Sequence, residues 1–343
     1  MKHTFVYNEP GRFGGWPANN GIWIWGDEIL VGFQQAYFAS KADTHSVDRD
    51  KPSIKAFARS LDGGESWTIE EHATLGREKT MPGPGGIDFS HPDFALRIWH
   101  DYYHYSNDRG KTWIGPFGLT DFGMGLELTS RTDYIVNSKD ECLLFLSANV
   151  PQVRAGKYQD RAFSAISRDG GLSFEFLSWI TGQDEPVRSV MASTVRVSNT
   201  ELVTVMRRRW DPSEEPRREL TWIDAYGSGD DGCSWDYLSR VAFTDLGRRN
   251  GNPPSMVRLS NGHLCVAYGW RAPAFGMRAK ISGDNGKTWG PEIILRDDAR
   301  TWDFGYPRMV QRSDGKVVTI YYYTTEQNPE QHIAATIWDP IGR

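Results

Sequence analysis

The sequence has little cysteine and no excess of positive charge. Its three cysteines, Cys142, Cys233 and Cys265, are widely spaced and include no Cys-x-x-Cys pair, which argues against a disulfide framework and against a zinc site. The formal net charge is −5 and the isoelectric point is near 5.9, so a nucleic-acid or anionic-membrane surface is not expected. No ligand spacing indicates a metal, and no cofactor is expected.

Long apolar runs are also missing. Residues 1–7, Met-Lys-His-Thr-Phe-Val-Tyr, lack the continuous apolar stretch of a signal peptide. No run elsewhere in the sequence is long enough to cross a bilayer. The sequence therefore predicts a cytoplasmic protein, with secretion as the alternative if a leader has been removed.

One pattern recurs in a composition rich in glycine and aromatic residues. Gly, Trp, Tyr and Phe number 35, 14, 14 and 16, which is typical of many short strands joined by turns. The pattern Ser-x-Asp-x-Gly-x-Ser/Thr-aromatic stands at residues 60–67, 106–113, 167–174, 228–235 and 282–289. The copies start 46, 61, 61 and 54 residues apart, a period that suits one small antiparallel sheet per repeat.

The residue types of this pattern suit a tight turn between two strands. The Asp carboxylate accepts hydrogen bonds from N–H groups of its own turn, and the Gly supplies a positive φ that other residues resist. The Ser or Thr hydroxyl adds a further local bond, and the closing aromatic ring packs into the sheet. One such turn is a weak signal, but five copies predict a repeat protein.

A repeated four-stranded antiparallel unit in a ring is a β-propeller. Strand patterns follow for six units, and the last one, from Arg308 to Trp338, has no copy of the motif and is one strand short. A strand near residues 4–7 would supply the missing outer strand and remove an exposed sheet edge. The sequence therefore predicts an all-β protein with a single domain over residues 1–343, a six-bladed propeller of four-stranded blades closed by the N-terminal strand.

The repeat resembles the Asp-box of the sialidase (neuraminidase) superfamily, and the likeness covers essentially the whole chain. In that family the boxes lie on the face away from the active site, so the resemblance implies a structural role for them. Sialidases hold the substrate carboxylate with three arginines from different blades, and the matching positions are Arg12, Arg207 and Arg278. A guanidinium presents paired planar donors that suit a carboxylate.

The resemblance also implies a nucleophile and a general acid/base. The family nucleophile is a tyrosine just before the first strand of the last blade, which corresponds to Tyr306. A tyrosine suits a substrate whose reacting carbon bears a carboxylate, because a carboxylate nucleophile would be repelled. The family acid/base is an Asp in the loop before the first Asp-box, where Asp50 is the first choice and Asp43 and Asp48 are the alternatives.

Two family features are missing. The glutamate that takes the proton from the tyrosine would fall near Met191, and Gln34-Gln35 stands where many sialidases carry a further arginine. A tyrosine without a base has a pKa near ~10 and is a poor nucleophile at neutral pH. Glu185 and Glu127 are candidates to replace the base. These departures put sialic acid itself in doubt and leave an acidic-sugar pocket as the prediction.

Tryptophan and asparagine in the loops suit a carbohydrate pocket, because indole rings stack on sugars and amides bond hydroxyls. Trp16, Asn20 and Trp302 are the candidates for such contacts, and both tryptophans stand in segments that lead toward a candidate site residue. The expected partner is therefore an acidic glycan.

Three functions remain open at this point. The first is an exo-acting glycoside hydrolase that removes a terminal acidic monosaccharide, either sialic-acid-like or a uronic acid. The second is a propeller-fold lyase of uronic-acid glycans, for which His45, His91, His100 and His104 are available as bases. The third is a glycan-binding propeller without catalysis, which the missing glutamate keeps in view.

Overall fold

The computed structural model of the protein describes residues 1–71, 75, 79–120, 122–151, 158–182, 185–210, 220–246 and 251–342. Within these residues the chain is almost entirely strand and turn, with one 3-10 turn at Pro17–Asn19. No helix in this part of the chain is long and apolar enough to cross a membrane.

The strands form six antiparallel sheets, each of which is one blade. After β1 (Lys2–Tyr7), blade 1 contains β2 (Arg12–Gly15), β3 (Ile22–Trp25), β4 (Glu28–Phe38), β5 (Val47–Asp48), β6 (Ile54–Ser60) and β7 (Thr68–Glu71). Blade 2 contains β8 (Ala95–His100), β9 (Tyr102–Ser106), β10 (Ile114–Gly118) and β11 (Ser130–Arg131). Blade 3 contains β12 (Tyr134–Val136), β13 (Cys142–Pro151), β14 (Tyr158–Ser167) and β15 (Glu175–Trp179).

The remaining three blades follow in chain order. Blade 4 contains β16 (Val187–Arg196), β17 (Leu202–Trp210), β18 (Leu220–Ser228) and β19 (Asp236–Phe243). Blade 5 contains β20 (Ser255–Arg258), β21 (Leu264–Trp270), β22 (Gly276–Ser282) and β23 (Ile293–Ile294). Blade 6 contains β24 (Gly305–Gln311), β25 (Val317–Tyr323) and β26 (His332–Trp338), and β1 pairs with β26 as its outer strand.

The predicted six-bladed propeller and its closure by the N-terminal strand are confirmed. The innermost strands contact each other around the centre, since β16 contacts β12 and β20, β20 contacts β24, and β24 contacts β3. Blades 1 and 2 depart from the simple four-strand order. In blade 1 both β2 and β3 pair with the long β4, and in blade 2 the inner strand is β11, which follows the outer strand in the chain.

Six hydrophobic clusters fill the spaces between neighbouring blades and close the ring. They join blades 1 and 2, 2 and 3, 3 and 4, 4 and 5, 5 and 6, and 6 and 1. Each sheet therefore buries both faces, which explains strands that are apolar on both sides, such as β25 with all seven residues buried.

The five Asp-box turns repeat one hydrogen-bond pattern. The first Ser Oγ accepts the N–H of the Gly four residues on at 2.7 to 2.9 Å. The Asp Oδ1 accepts the N–H of the later Ser or Thr at 2.8 to 3.0 Å. Each of these glycines has φ between 75° and 93°, which is the reason for glycine there.

The Asp-box turns and the candidate site lie at opposite ends of the strands. Each Asp-box joins the third strand of its blade to the fourth, at what we call the Asp-box face. Because neighbouring strands are antiparallel, the second strands end and the first strands begin at the other end, which we call the site face. Tyr306 near the start of β24 and Trp270 at the end of β21 are examples from this face.

Candidate functional site

Tyr306 is held at the centre of the site face by its neighbours in blades 5 and 6. Its backbone N–H donates to Asn252 Oδ1 at 2.6 Å, and Asn252 Nδ2 donates to the Phe304 carbonyl at 3.0 Å. Gly305 lies so close to Asn252 that a Cβ would stand 2.2 Å from Oδ1, and its φ is +106°. Tyr306 itself has φ +50° and is 7% exposed. The side chain is therefore positioned by an unusual backbone that the Asn252 amide stabilises.

Two arginines from adjacent blades lie against the phenol of Tyr306. Arg207, on β17, donates from Nη1 to the Tyr306 hydroxyl oxygen at 3.0 Å and to the Gly251 carbonyl at 3.2 Å. Arg271, which directly follows β21, has its guanidinium carbon 5.5 Å from the centre of the Tyr306 ring. It donates to the Phe304 carbonyl and to the Tyr322 hydroxyl, the latter at 2.8 Å.

Positive charge dominates the surroundings of this phenol. Burial alone would raise the pKa of Tyr306, but the charges of Arg207, Arg271 and Arg188 outweigh burial and lower it. Arg131 lies close enough to interact electrostatically with Tyr306 and Arg207. Asp160 offsets part of this charge through its ion pair with Arg188. The arrangement favours a phenolate and a bound anion.

A histidine and a buried aspartate form a pair at the edge of the site. His45 Nδ1 donates to Asp303 Oδ1 at 2.6 Å, and the Asp303 side chain is 1% exposed. Asp303 also accepts hydrogen bonds from the Ser46 N–H at 2.9 Å and from the Tyr322 hydroxyl at 2.7 Å. Burial would raise the pKa of Asp303, but the hydrogen bonds from His45 and from the Ser46 N–H, together with the nearby charge of Arg271, lower it. Asp303 is therefore held as a carboxylate.

Both tryptophans predicted for sugar contacts flank this histidine. The Trp16 ring lies 5.1 Å from the His45 ring at 80°, and the Trp302 ring lies 5.7 Å from it. Arg271 lies 5.4 Å from the Trp302 ring. Asn20, by contrast, is 1% exposed and donates to the Trp16 carbonyl at 3.2 Å, so its amide positions the Trp16 backbone from within the fold.

The structure brings Tyr306 and Arg207 together but holds the other two predicted arginines elsewhere. Arg12 stacks 4.1 Å from the Tyr37 ring on blade 1. Arg278, on the third strand of blade 5, pairs with Glu292 at 3.2 Å and donates to three carbonyls of the same blade. Among the described residues, no contact joins either side chain to Tyr306.

The predicted carboxylates lie in one loop of blade 1 and are not buried. Asp48, on β5, accepts the Asp50 N–H at 3.1 Å and pairs with Lys51 at 3.6 Å. Asp43 and Asp50 are exposed. His45 lies in the same loop, so the segment that the sequence indicated does reach the site.

No carboxylate stands at the place of the family glutamate. Met191 occupies that position with φ +61°, at a bulge between Val190 and Ser193, and packs against the hydrophobic cluster that contains Tyr306. The two candidate replacements are engaged elsewhere. Glu185 pairs with Arg208, and Glu127 accepts the Asn149 amide at 2.9 Å.

Several site residues were not found by sequence reasoning: Arg131, Asp160, Arg188, Arg271 and Asp303. Arg271 had a signal, because it directly follows a second strand, and Arg207 lies near the end of the second strand of the preceding blade. The others had none, since a buried charge and an exposed one look alike in a sequence.

A cavity of about 490 Å³ opens on blade 2. Trp99, Tyr102 and Glu127 are among its lining residues. The Trp99 ring has Lys55 Nζ 3.5 Å from its centre and the Arg131 guanidinium 4.6 Å from it. Burial, with the nearby charges of Arg97 and Arg131, lowers the pKa of Lys55 to about 7.

The protein is therefore a six-bladed β-propeller that carries Asp-box turns on one face and a tyrosine–arginine centre on the other. The chain matches the family model described as BNR repeat-like domain over residues 95–319, and it belongs to that family. The resemblance to the sialidase superfamily is confirmed at the level of the repeat and the fold. A comparison with curated proteins found no match.

Solved structures share the fold at low sequence identity. A protein of unknown function from Dyadobacter fermentans is 21% identical with a TM-score of 0.69, covering 98% of this chain and 97% of that one. An alpha-L-arabinanase from Penicillium chrysogenum, complexed with arabinobiose, is 14% identical with a TM-score of 0.64, covering 99% and 98%. A mutant NanB sialidase from Streptococcus pneumoniae is 9% identical with a TM-score of 0.64, covering 99% and 71%.

Proposed function

We propose that the protein is an exo-acting glycoside hydrolase that removes a terminal acidic monosaccharide, sialic-acid-like or a uronic acid, from a glycan. The observation that carries this proposal is the hydrogen bond from Arg207 to the phenolic oxygen of Tyr306 at 3.0 Å, in an arginine-rich centre. Structural neighbours that are named as arabinanase and sialidases are consistent with it, although they are similar in fold alone.

Tyr306 is the proposed nucleophile, and its arginines take over the task of the missing glutamate. A base serves to make the tyrosine a phenolate, and a fixed positive charge reaches the same end by lowering its pKa. Arg207 donates to the phenolic oxygen, while Arg271 lies over the ring. The phenolate then attacks the anomeric carbon, the glycosidic C–O bond breaks and the rest of the glycan leaves, which gives a glycosyl-tyrosine intermediate that water hydrolyses.

The carboxylate of the substrate would be bound by the same positive centre. Within the described residues, the buried Nε atoms of Arg131 and Arg207 have no hydrogen-bond partner. Buried donors of this kind are normally satisfied, and a carboxylate oxygen would satisfy them. The cavity beside Trp99 could take the rest of the glycan, since its volume lies within the range of about 300 to 1,000 Å³ that is usual for ligand pockets.

The test is release of a reducing sugar from a panel of sialosides and uronides. Tyr306→Phe and Arg207→Met are expected to lose more than about 100-fold in kcat/KM, whereas Tyr237→Phe, at a tyrosine that is 54% exposed, should match the wild type. Wild-type rates in Tyr306→Phe would refute the site, and the absence of any cleavage by the wild type would refute the reaction.

A lyase acting on uronic-acid glycans is the second candidate, and the His45–Asp303 pair is the observation that favours it. An imidazole held in this way is able to abstract a proton beside a carboxylate. Elimination would give an unsaturated uronate that absorbs in the near ultraviolet. Sugar release without that absorbance selects the hydrolase.

A further inference from the structure

We propose that His45, oriented by Asp303, is the general acid/base of the reaction, in place of a carboxylate from the same loop. The inference rests on the proposed glycoside hydrolase function and adds the residue that protonates the leaving group. It begins from the geometry of one hydrogen bond, His45 Nδ1 to Asp303 Oδ1 at 2.6 Å.

The hydrogen bond to Asp303 fixes the tautomer of the imidazole. With Nδ1 carrying the proton that is donated to the carboxylate, Nε2 is an acceptor in the neutral ring and a donor in the charged ring. Among the described residues, no hydrogen bond engages His45 Nε2, and the side chain is 20% exposed. A buried carboxylate that leaves one imidazole nitrogen open is the arrangement by which a histidine serves as an acid and base.

Hydrogen bonds keep Asp303 ionised and fix the position of its carboxylate. It receives hydrogen bonds from His45, from the Ser46 N–H, from the Tyr322 hydroxyl and from the Gln331 amide at 3.2 Å. A solvated loop aspartate needs no such set of donors. Asp303 is thus a positioning residue, which acts through His45.

The pair borders the same region as the nucleophile. Asp303 and Tyr306 belong to one segment of the chain, and Tyr322 connects them, since its hydroxyl donates to Asp303 and its ring lies 6.0 Å from the Tyr306 ring. Trp16 and Trp302 flank the imidazole at 5.1 and 5.7 Å. Two indoles beside an acid suit a sugar ring whose leaving oxygen must lie near Nε2.

The chemical steps balance within the site. In the first step the Tyr306 oxygen forms a bond to the anomeric carbon, the glycosidic C–O bond breaks, and the protonated His45 Nε2 gives its proton to the leaving oxygen. In the second step the neutral Nε2 takes a proton from water as the water oxygen attacks the anomeric carbon. The bond to Tyr306 breaks, and the phenolate is restored beside Arg207.

Leaving-group dependence tests this role. An acid catalyst matters for a poor leaving group such as an alkoxide and matters little for dinitrophenolate, which leaves unprotonated. His45→Gln is therefore expected to lose about 100- to 10,000-fold in kcat/KM on an alkyl glycoside and less than about 10-fold on the dinitrophenyl glycoside of the same sugar. Azide, which needs no base to attack, should restore turnover of the dinitrophenyl substrate.

Three further variants complete the design. Asp303→Asn should show the same dependence with a smaller loss, because it disturbs the tautomer and leaves the imidazole. Asp50→Asn distinguishes His45 from the carboxylates of the same loop, because a leaving-group-dependent loss in Asp50→Asn would overturn the assignment of His45. The exposed His263→Gln is the matched control and should behave as the wild type. If His45→Gln loses kcat/KM equally on both substrates, or keeps the wild-type rate on the alkyl glycoside, the assignment of His45 is wrong. Either result leaves the proposed hydrolase function standing. A wild type that cleaves neither substrate would overturn the proposed hydrolase together with the assignment of His45.

Discussion

Replacing Arg207 by methionine should raise the pKa of Tyr306. The Arg207 guanidinium donates to the phenolic oxygen at 3.0 Å, and both side chains are buried. Methionine keeps much of the apolar stem and removes the charge and the donor. Burial by itself raises the pKa of Tyr306, and without Arg207 less positive charge lowers it. The phenol therefore keeps its proton to a higher pH.

The size of the change follows from the hydrogen bond. A hydrogen bond to a charged group contributes about 1.5 to 3 kcal/mol, and one pKa unit corresponds to about 1.4 kcal/mol. The pKa of Tyr306 is therefore expected to rise by about one to two units. Arg271 and Arg188 remain in place and keep the shift from growing further. At a pH below both values the phenolate fraction falls by the corresponding factor of about 10 to 100.

The assay is the ultraviolet difference spectrum of phenolate formation against pH, with Tyr306→Phe as the blank that isolates this residue. The activity limb that rises with pH should move in parallel. Arg258→Met, at an exposed arginine on β20, serves as the matched control and should leave the titration unchanged. An identical Tyr306 titration in Arg207→Met and in the wild type would refute the idea that arginines replace the missing base.

Three other predictions concern the fold and the rest of the site face. Asp284→Ala should lower the free energy of unfolding in urea by about 1 to 2 kcal/mol at neutral pH, because the turn loses the hydrogen bonds that the carboxylate accepts. Activity should not change. Since the hydroxyl and N–H of Thr288 and the Ser282 hydroxyl lower the folded-state pKa of Asp284 from 3.8 to about 2, this difference should fade as pH falls from about 4 to 2. Removing the positive charge of Arg131 with methionine should raise the pKa of Lys55 above about 7, which lysine NMR titration measures. Deleting residues 1–7 should expose the edge of β26 and promote association on size exclusion, whereas Lys2→Ala should not.

Much of the fold was predictable because its signals are local. An Asp-box needs only eight consecutive residues, and each of the five copies forms the same turn. The closure by β1 was predictable from counting strands. The double inner strand of blade 1 and the position of β11 in blade 2 were not, because they depend on pairing between distant segments.

The site was predictable only where the family motif coincides with this chain. Tyr306 and Arg207 were named from the sequence, and they contact each other. The His45–Asp303 pair joins residues that are 258 positions apart, and no periodicity links them. Nothing in the sequence distinguishes His45 from the other three candidate histidines, and no local pattern marks Asp303, because burial decides the chemistry of both.

The positions of Tyr306, Arg188, Arg207 and Arg271 follow from strand order more than from the Asp-box. At the site face every blade offers two kinds of place, the end of its second strand and the start of its first. Arg207 lies near the end of β17 and Arg271 directly follows β21, while Arg188 and Tyr306 lie near the starts of β16 and β24. Arg278 lies on a third strand and bonds to carbonyls of its own blade. A search for charged residues at those two places would have selected Arg271 ahead of Arg278. Such a search uses the Asp-box only to locate where each blade begins.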